Sequence, residues 1–391
     1  MKHNREFDII VYGASGFTGR LIAEYLAARH ANTGDFRWAL AGRNADKIAS
    51  TIAEANLPAD LPIITVDSAD ADSLRGMAER TAVVLTAVGP YQLYGSGLVA
   101  ACVAAGTDYV DLCGEPNWMR EMIEQHQAGA QASGARIVFS CGFDSIPFDL
   151  GVYYLQSLAR KKTGAPARHV KGRVRGIKGH ASGGTVASMK ATMAAAASDP
   201  AVKKMLSNPF GLVPGFQGPQ QPESFKPCYD KAVDSWAAPF IMATINIPNV
   251  HRSNALLGHA YGEDFTYSEM LLTGPGEKGE AMAKALAKPD ISAGGEDVQP
   301  GDGPSREEQE AGFYDLLFIG ETATGEELRA SVFGDRDPGY GSTSRMIAES
   351  ALALALDDVP TAGGIWTPAA AMGEQLLKRL SDNAGLVFKP E

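Results

Sequence analysis

The chain carries only four cysteines in 391 residues, Cys102, Cys113, Cys141 and Cys228, and no two stand in C-x-x-C spacing. That excludes a cysteine-ligated zinc module and offers no paired pattern for a disulfide framework. Cys113 and Cys141 follow apolar runs, which predicts buried thiols in a reducing compartment. No apolar run approaches the ~18 residues of a membrane-spanning helix. Met1-Lys2-His3-Asn4-Arg5 leads straight into an apolar segment and leaves no room for a signal peptide, so a cytoplasmic location is expected. Positive charge is short as well: 35 Lys and Arg face 46 Asp and Glu, a net charge of −11, which argues against nucleic acid as a general partner. Several catalytic strings are missing. G-x-x-x-x-G-K-[ST], H-E-x-x-H, G-x-S-x-G and Tyr-x-x-x-Lys do not occur, and the seven histidines have no metal-ligand spacing, so no metal is expected. What remains is a composition of 45% hydrophobic and 21% charged residues, that of a soluble globular protein.

Against these absences stands one glycine turn, Gly13-Ala14-Ser15-Gly16-Phe17-Thr18-Gly19. An apolar run at 7–12 precedes it and an amphipathic run at 20–26 follows it. Strand, glycine turn and helix in that order make a dinucleotide-binding element. The glycines let the backbone approach a pyrophosphate at the helix N-terminus. The spacing is GxxGxxG rather than GxGxxG, so the context carries the inference. Gly13, Ser15, Gly16, Phe17, Thr18 and Gly19 are the expected phosphate-side residues.

Short apolar runs at 7–12, 37–41, 62–66, 82–87, 108–112 and 136–140 alternate with helical patterns at 17–30, 45–55, 96–105 and 118–132. This predicts an α/β, Rossmann-type doubly wound parallel sheet of order 3-2-1-4-5-6 over residues 1–162, with 149–162 as a connecting helix. Strand-like runs at 169–177, 265–273, 314–320 and 327–333, with a helix at 185–197, predict a second α+β domain over 163–335 with a mixed or antiparallel sheet. Within 336–391, residues 342–356 and 368–380 read as helices. The stretch 289–308, with four glycines, three prolines and six acids, reads as a mobile surface loop.

The second strand ends in Gly42-Arg43-Asn44, where an NAD-binding sheet carries an acid. An acid would repel a 2′-phosphate, whereas the Arg43 guanidinium can clamp one, so NADP(H) is the expected cofactor. Asp67, ending the third strand, has two readings, a contact to adenine or a cap on the next helix. Gly89 and Pro90, after the fourth strand, form either a rigid loop beside the nicotinamide or a plain strand-to-helix turn.

On the substrate side, Asp144 and Ser145 follow the sixth strand and read either as substrate- or cofactor-orienting groups or as helix caps ahead of Pro147. Tyr91 and Tyr94 are candidate proton donors or pocket walls, with Tyr91 ranked first because it is nearer the strand end. Ser182-Gly183-Gly184-Thr185 opens a helix whose amides suit an anionic oxygen, with His180 just before it; a plain helix start fits equally. The segment 160–178 holds eight Lys or Arg and no acid, and Lys171, Arg173 and Arg175 share one strand face. That face reads as a landing place for an anionic carrier or as a solvated surface.

Taken in order, residues 13–19, Ala41-Gly42-Arg43, Val88-Gly89-Pro90-Tyr91, Tyr109 to Glu115, Gly142 to Pro147, Ser182 to Thr185, Asp337-Pro338-Gly339-Tyr340 and Thr367 to Ala371 resemble the saccharopine dehydrogenase-like oxidoreductases, especially their trans-acting enoyl reductase subfamily. The resemblance implies a nicotinamide-binding domain, C-terminal helices in 336–391 that return to pack on it, and a reductase of carbon–carbon double bonds in small-molecule or carrier-bound acyl substrates. Phe210, Leu212, Val213 and Phe216 would suit such an apolar chain, or be ordinary core. The other readings are saccharopine-like chemistry on an imine or amino acid, and an NADP(H)-binding sensor or scaffold without turnover. Pairing of two copies through the second sheet is a further expectation.

Overall fold

The computed structural model describes residues 5–179, 183–288 and 303–391. The chain begins with β1 (Phe7–Tyr12), α1 (Phe17–Thr33), β2 (Trp38–Gly42), α2 (Ala45–Glu54), β3 (Ile63–Thr65), α3 (Ala71–Arg80) and β4 (Thr81–Thr86). It continues through α4 (Tyr91–Tyr94), α5 (Ser96–Ala105), β5 (Asp108–Val110), α6 (Pro116–Ser133), β6 (Arg136–Val138) and α7 (Ile146–Thr163). In β1, Ile9 and Val11 join the core on one face of the sheet and Ile10 and Tyr12 the core on the other. A parallel sheet wrapped by crossover helices is buried on both faces, so its strands read as apolar runs without polar alternation. Asn44 and Asp70 accept amide hydrogen bonds at the starts of α2 and α3, and Pro116 and Pro147 occupy the first turns of α6 and α7.

The second half contains β7 (Ala167–Lys178), α8 (Gly183–Ser198), α9 (Pro200–Leu206), β8 (Cys228–Asp230), β9 (Ser235–Pro239), α10 (Ala243–Leu256), β10 (Thr266–Gly274), α11 (Gly276–Leu286), α12 (Arg306–Glu310), β11 (Phe313–Thr322) and β12 (Glu327–Gly334). A π-helical turn at Pro338–Ser342 leads into α13 (Thr343–Leu356), β13 (Gly364–Trp366), α14 (Pro368–Arg379) and β14 (Leu386–Pro390).

The first sheet has the order β13-β6-β5-β4-β1-β2-β3, all parallel. The predicted 3-2-1-4-5-6 order is present, and β13 from the C-terminal segment adds a seventh strand. The second sheet, β14-β12-β11-β7-β10-β9-β8, is mixed: β7 runs parallel to β10 and antiparallel to β11. The C-terminal segment therefore reaches both sheets, which helices alone do not describe. One continuous core runs from Ile9 and Val11 through Phe148, Leu150 and Leu155 of α7 to Val174, Leu316 and Phe318 of the second sheet.

Several helices lie outside the helical patterns read from the sequence, among them α3, α9, α10 and α11. α10 contains Pro248, a residue type that ordinarily interrupts a helix, yet it is buried along nearly its whole length. Its polar groups find tertiary partners: Arg252 donates to the carbonyls of Leu212 and Ile365, each at 2.7 Å, and Ser253 donates to Asp149 Oδ1. Those bonds hold α10 between the two sheets. α11 is short and mostly exposed. Of the loop expected at 289–308, residues 289–302 lie outside the described residues. Ser305 and Glu308 form a reciprocal capping box at the start of α12, so the end of that stretch is helical. No helix among the described residues is long and apolar enough to cross a membrane.

Candidate active site

The glycine turn is built by close packing. Gly13 has φ +94° and donates its amide to the Ala41 carbonyl at 2.9 Å. A Cβ on Gly19 would stand 2.1 Å from the Gly13 oxygen, and one on Gly13 would stand 2.8 Å from Val88 Cγ2. Both positions therefore need glycine. Ser15 and Gly16 are exposed, and no side chain caps α1. The first-turn amides of Phe17, Thr18 and Gly19 have no intrahelical acceptor and point at the cradle. This arrangement fits a dinucleotide pyrophosphate, bound by backbone amides with the helix dipole behind it.

Arg43 is exposed immediately after β2, and no hydrogen bond or ion pair holds it among the described residues. Burial pushes the Tyr12 phenol up, and Ser68, Asp67 and Arg43 all act on it. Those four residues therefore gather at the carboxyl ends of β1, β2 and β3. Asp67 is exposed and turns back on its own chain, accepting the Ala69 amide at 3.0 Å, while Asp70 is the residue that caps α3. The capping role expected for Asp67 belongs to Asp70.

At the carboxyl end of β4, Gly89 is exposed and Pro90 leads into the single turn α4. Tyr91 is buried. Its hydroxyl accepts the Leu112 amide at 3.0 Å and reaches the Thr86 carbonyl at 3.5 Å, and burial holds its pKa well above the ordinary phenol. Its proton faces the protein's own backbone, so the geometry makes Tyr91 a brace between β4 and β5 rather than a donor to a ligand. Tyr94 is exposed.

Glu115 decides what covers this end. Its wholly buried carboxylate accepts the amides of Tyr91 at 2.8 Å and Gln92 at 2.9 Å and the Ser188 hydroxyl at 2.6 Å. Ser188 lies on α8, and Gln92 Nε2 donates to Thr192 one turn further along the same helix. The Gly183 amide, at the start of α8, donates to the Tyr340 hydroxyl, and the Tyr340 ring meets Phe17 edge-on at 4.8 Å. α8 thus runs from the glycine turn across the carboxyl ends of β4 and β5. His180 and Ser182 lie outside the described residues.

Asp144 and Ser145 sit between β6 and α7. The Phe143 amide donates to Thr343 Oγ1 at 3.0 Å, tying this loop to the turn that carries Tyr340. Ser145 occupies the cap position of α7, but its hydroxyl makes no cap bond; it accepts Asn249 Nδ2 at 2.8 Å and has no exposed surface. Ser145 therefore fixes the loop to α10 and does not itself meet a ligand. Asp144 is half-buried, caps nothing and accepts no hydrogen bond among the described residues. Desolvation alone pushes its carboxyl up to about 7. A carboxylic acid that keeps its proton near neutral pH, with an open side and no partner, is equipped to give that proton to a ligand.

Beyond it lies Glu269 on β10, with no exposed surface, accepting Asn246 Nδ2 at 2.7 Å and the Tyr267 hydroxyl at 2.8 Å. The sequence reading missed Glu269, Asn246 and Asn249. An acid inside a strand leaves no periodic trace, although Asn246 and Asn249, three apart, share a face of α10. The basic face dissolves as a landing place: Lys171 and Arg173 both pair with Asp230, and Arg175 pairs with Asp315 and Glu391. Phe210 and Leu212 are buried, with Phe210 edge-on to Phe216 and tilted against His251, so they are core. Cys102, Cys113 and Cys141 are buried free thiols and Cys228 is half-buried.

Residues 9–138 match the family model described as the saccharopine dehydrogenase NADP binding domain. A Mycobacterium tuberculosis protein, named provisionally as a trans-acting enoyl reductase, is 42% identical over 96% of each chain. The trans-acting enoyl reductase of Mycobacterium bovis is 38% identical, covering 98% of this chain and 97% of its own, and that of Mycobacterium ulcerans is 36% identical at the same coverage. Among solved structures, apo saccharopine dehydrogenase (L-Glu forming) from Saccharomyces cerevisiae superposes over 98% of this chain and 100% of its own with a TM-score of 0.56. Its 12% identity makes that a likeness of fold. The chain belongs to the trans-acting enoyl reductase family, oxidoreductases whose nicotinamide-nucleotide domain is of the saccharopine dehydrogenase type.

Proposed function

We propose that this protein is an NADPH-dependent reductase of the carbon–carbon double bond in an apolar acyl substrate, delivered as a small thioester or on a carrier. The observation that carries the reading is Asp144, a protonatable, unpartnered carboxyl on the carboxyl-edge side of the sheet whose glycine turn suits a pyrophosphate. The names of the relatives support the reaction class. Gly13, Ser15, Gly16, Phe17, Thr18 and Gly19 hold the pyrophosphate, Arg43 takes the 2′-phosphate, Asp67 lies beside the adenosine, and Gly89 and Pro90 line the nicotinamide end. Bound there, NADPH supplies a hydride. Asp144 supplies the proton to the carbon next to the acyl carbonyl, where negative charge gathers. Ser145, through Asn249, keeps the Asp144 loop in register, and Tyr91 braces the strand ends. Saccharopine-like chemistry is disfavoured because an amino dicarboxylate needs free cations, and Lys171, Arg173 and Arg175 are already paired.

Titration of NADPH and NADH against wild type and Arg43→Ala tests the cofactor. A charge-assisted clamp contributes about 1.5–3 kcal/mol, so the substitution weakens NADPH about ten- to a hundredfold and leaves NADH unchanged. Enoyl thioesters of graded length are then offered while NADPH oxidation is followed. Asp144→Asn binds NADPH normally and loses about a hundredfold or more in turnover. Equal affinity of wild type for the two cofactors, or no response to any enoyl thioester, overturns the reading.

A further inference from the structure

Tyr340 belongs to a turn that is packed too tightly to move alone. Asp337 accepts the Tyr340 amide at 3.0 Å and the Gly341 amide at 2.7 Å, and its own amide donates to the Gln309 carbonyl at 3.0 Å. The turn is wedged between the end of β7 and the start of β11. A Cβ on Gly179 would stand 2.5 Å from Pro338 Cδ, and one on Gly312 would stand 2.4 Å from the Asp337 backbone. A unit so confined transmits displacement rather than absorbing it.

The turn and the residue after it reach the pyrophosphate cradle, the start of α8 and the Asp144 loop. The Tyr340 ring is almost wholly buried and stands edge-on to Phe17 at 4.8 Å. Phe17 opens α1, so its amide belongs to the cradle. Gly303 also packs on that ring, where a Cβ would stand 2.3 Å from Phe17 Cε1. The Tyr340 hydroxyl accepts the Gly183 amide at 3.1 Å, at the start of α8. Thr343 Oγ1 accepts the Phe143 amide at 3.0 Å and donates to the Pro338 carbonyl at 2.7 Å. Gly142 leans on the same side chain, since a Cβ there would stand 3.1 Å from Thr343 Cγ2.

α8 is the element able to respond. Of its sixteen residues only Ser188 is buried, so polar bonds rather than apolar packing hold it over the strand ends. A helix held in that way opens locally at small cost. A ligand moves such an element only by favouring one of its states. A pyrophosphate in the cradle fixes the first turn of α1 and with it the Phe17 ring. That ring fixes the phenol, and the phenol fixes the first amide of α8. We propose that Tyr340 is a positioning residue that couples a filled dinucleotide cradle to the docked state of α8, so that the acyl site is completed after the cofactor binds. The inference rests on the reading of the glycine turn as the pyrophosphate site. Tyr340 acts through Phe17 on one side and Gly183 on the other.

Hydrogen–deuterium exchange of the full chain, read on peptides covering Gly183–Ser198, tests the link. NADPH and 2′-phospho-ADP-ribose are the probes; the second carries the pyrophosphate and no nicotinamide. Both slow exchange across the first turns of α8 about two- to tenfold in wild type, the worth of one neutral hydrogen bond. Tyr340→Phe keeps the ring against Phe17, binds both probes and loses that difference. Ser188→Ala exchanges faster with and without probe but keeps the difference, which separates coupling from anchoring. With an enoyl thioester, Tyr340→Phe raises KM more than it lowers kcat, the reverse of Asp144→Asn. Exchange across α8 that ignores both probes in wild type overturns the coupling without recourse to a variant. So does slowing by NADPH alone, or equal slowing in wild type and Tyr340→Phe. A Tyr340→Phe enzyme with an unmoved KM overturns the positioning role. If neither probe binds, the cradle reading falls as well. If the probes bind and slow α8 but no enoyl thioester is turned over, the proposed reaction fails and the role of Tyr340 in placing α8 stands.

Discussion

Replacing Glu115 with alanine removes one carboxylate and strands three donors. The Tyr91 amide is buried, the Gln92 amide is half-buried and the Ser188 hydroxyl sits on the buried side of α8. A buried donor left without a partner costs about 1–3 kcal/mol, and hydrogen bonds to a charged group are at the upper end. The Ser188 hydroxyl can turn to solvent if α8 lifts, so its share is partly recovered. The two amides are fixed by Pro90 and the turn that follows and cannot escape. The expected loss is therefore about 3–5 kcal/mol, with the Tyr91 amide as the largest part. At roughly 2–4 °C per kcal/mol for a unit of this size, calorimetry should find the melting temperature lower by about 10 °C. Ser188→Ala separates the two halves of the effect. It removes only the bond to α8, costs about 1 kcal/mol, and speeds amide exchange within Gly183–Ser198 without a comparable fall in melting temperature. If Glu115→Ala melts within about 2 °C of wild type and exchange across α8 is unchanged in both variants, Glu115 does not pin that helix and the account of the covered cleft is wrong.

Gly19→Ala should abolish dinucleotide binding or soluble expression, because the new methyl would stand 2.1 Å from the Gly13 oxygen and force α1 away from β1; wild-type NADPH affinity in that variant would contradict the close packing. Stability should fall as pH rises. Asp111, Asp144 and Asp149 near 7 and Glu269 near 8 bind protons in the folded chain that the unfolded chain, with ordinary carboxyls, has released. Their contribution is full below the unfolded values of about 4 and is lost as pH climbs through about 7 to 8. Melting temperatures measured across that range should decline, and Glu269→Gln should flatten the decline; a flat wild-type profile would show that these groups titrate normally.

Much of the cofactor half was legible because its information is local. β1, the glycine turn and α1 are consecutive, and the turn needs Gly13 and Gly19 for a close approach that any reader of the chain can infer. The order of the six strands follows from alternating apolar runs and helices, since a parallel sheet forces each crossover to be long and right-handed. Arg43 was legible for the same reason: its position at the end of β2 is a matter of counting. The second half hid more. α10 carries Pro248 in its interior, and its helical form depends on burial rather than on propensity. β13 and β14 are short, and each gains its partner from a distant part of the chain.

The candidate chemistry divides in the same way. Sequence by itself determined that a glycine turn suited to a dinucleotide precedes the first helix, that Arg43 rather than an acid follows the second strand, and that Asp144 follows the sixth strand. Only tertiary structure decided that Tyr91 is a brace, that Ser145 answers to Asn249, that Glu115 fastens α8, and that Glu269 is held by Asn246 and Tyr267. Most of those relations join residues tens to more than a hundred positions apart. Burial and the absence of a partner, which set the proton affinity of a carboxyl, are properties of the packed interior and have no counterpart along the chain.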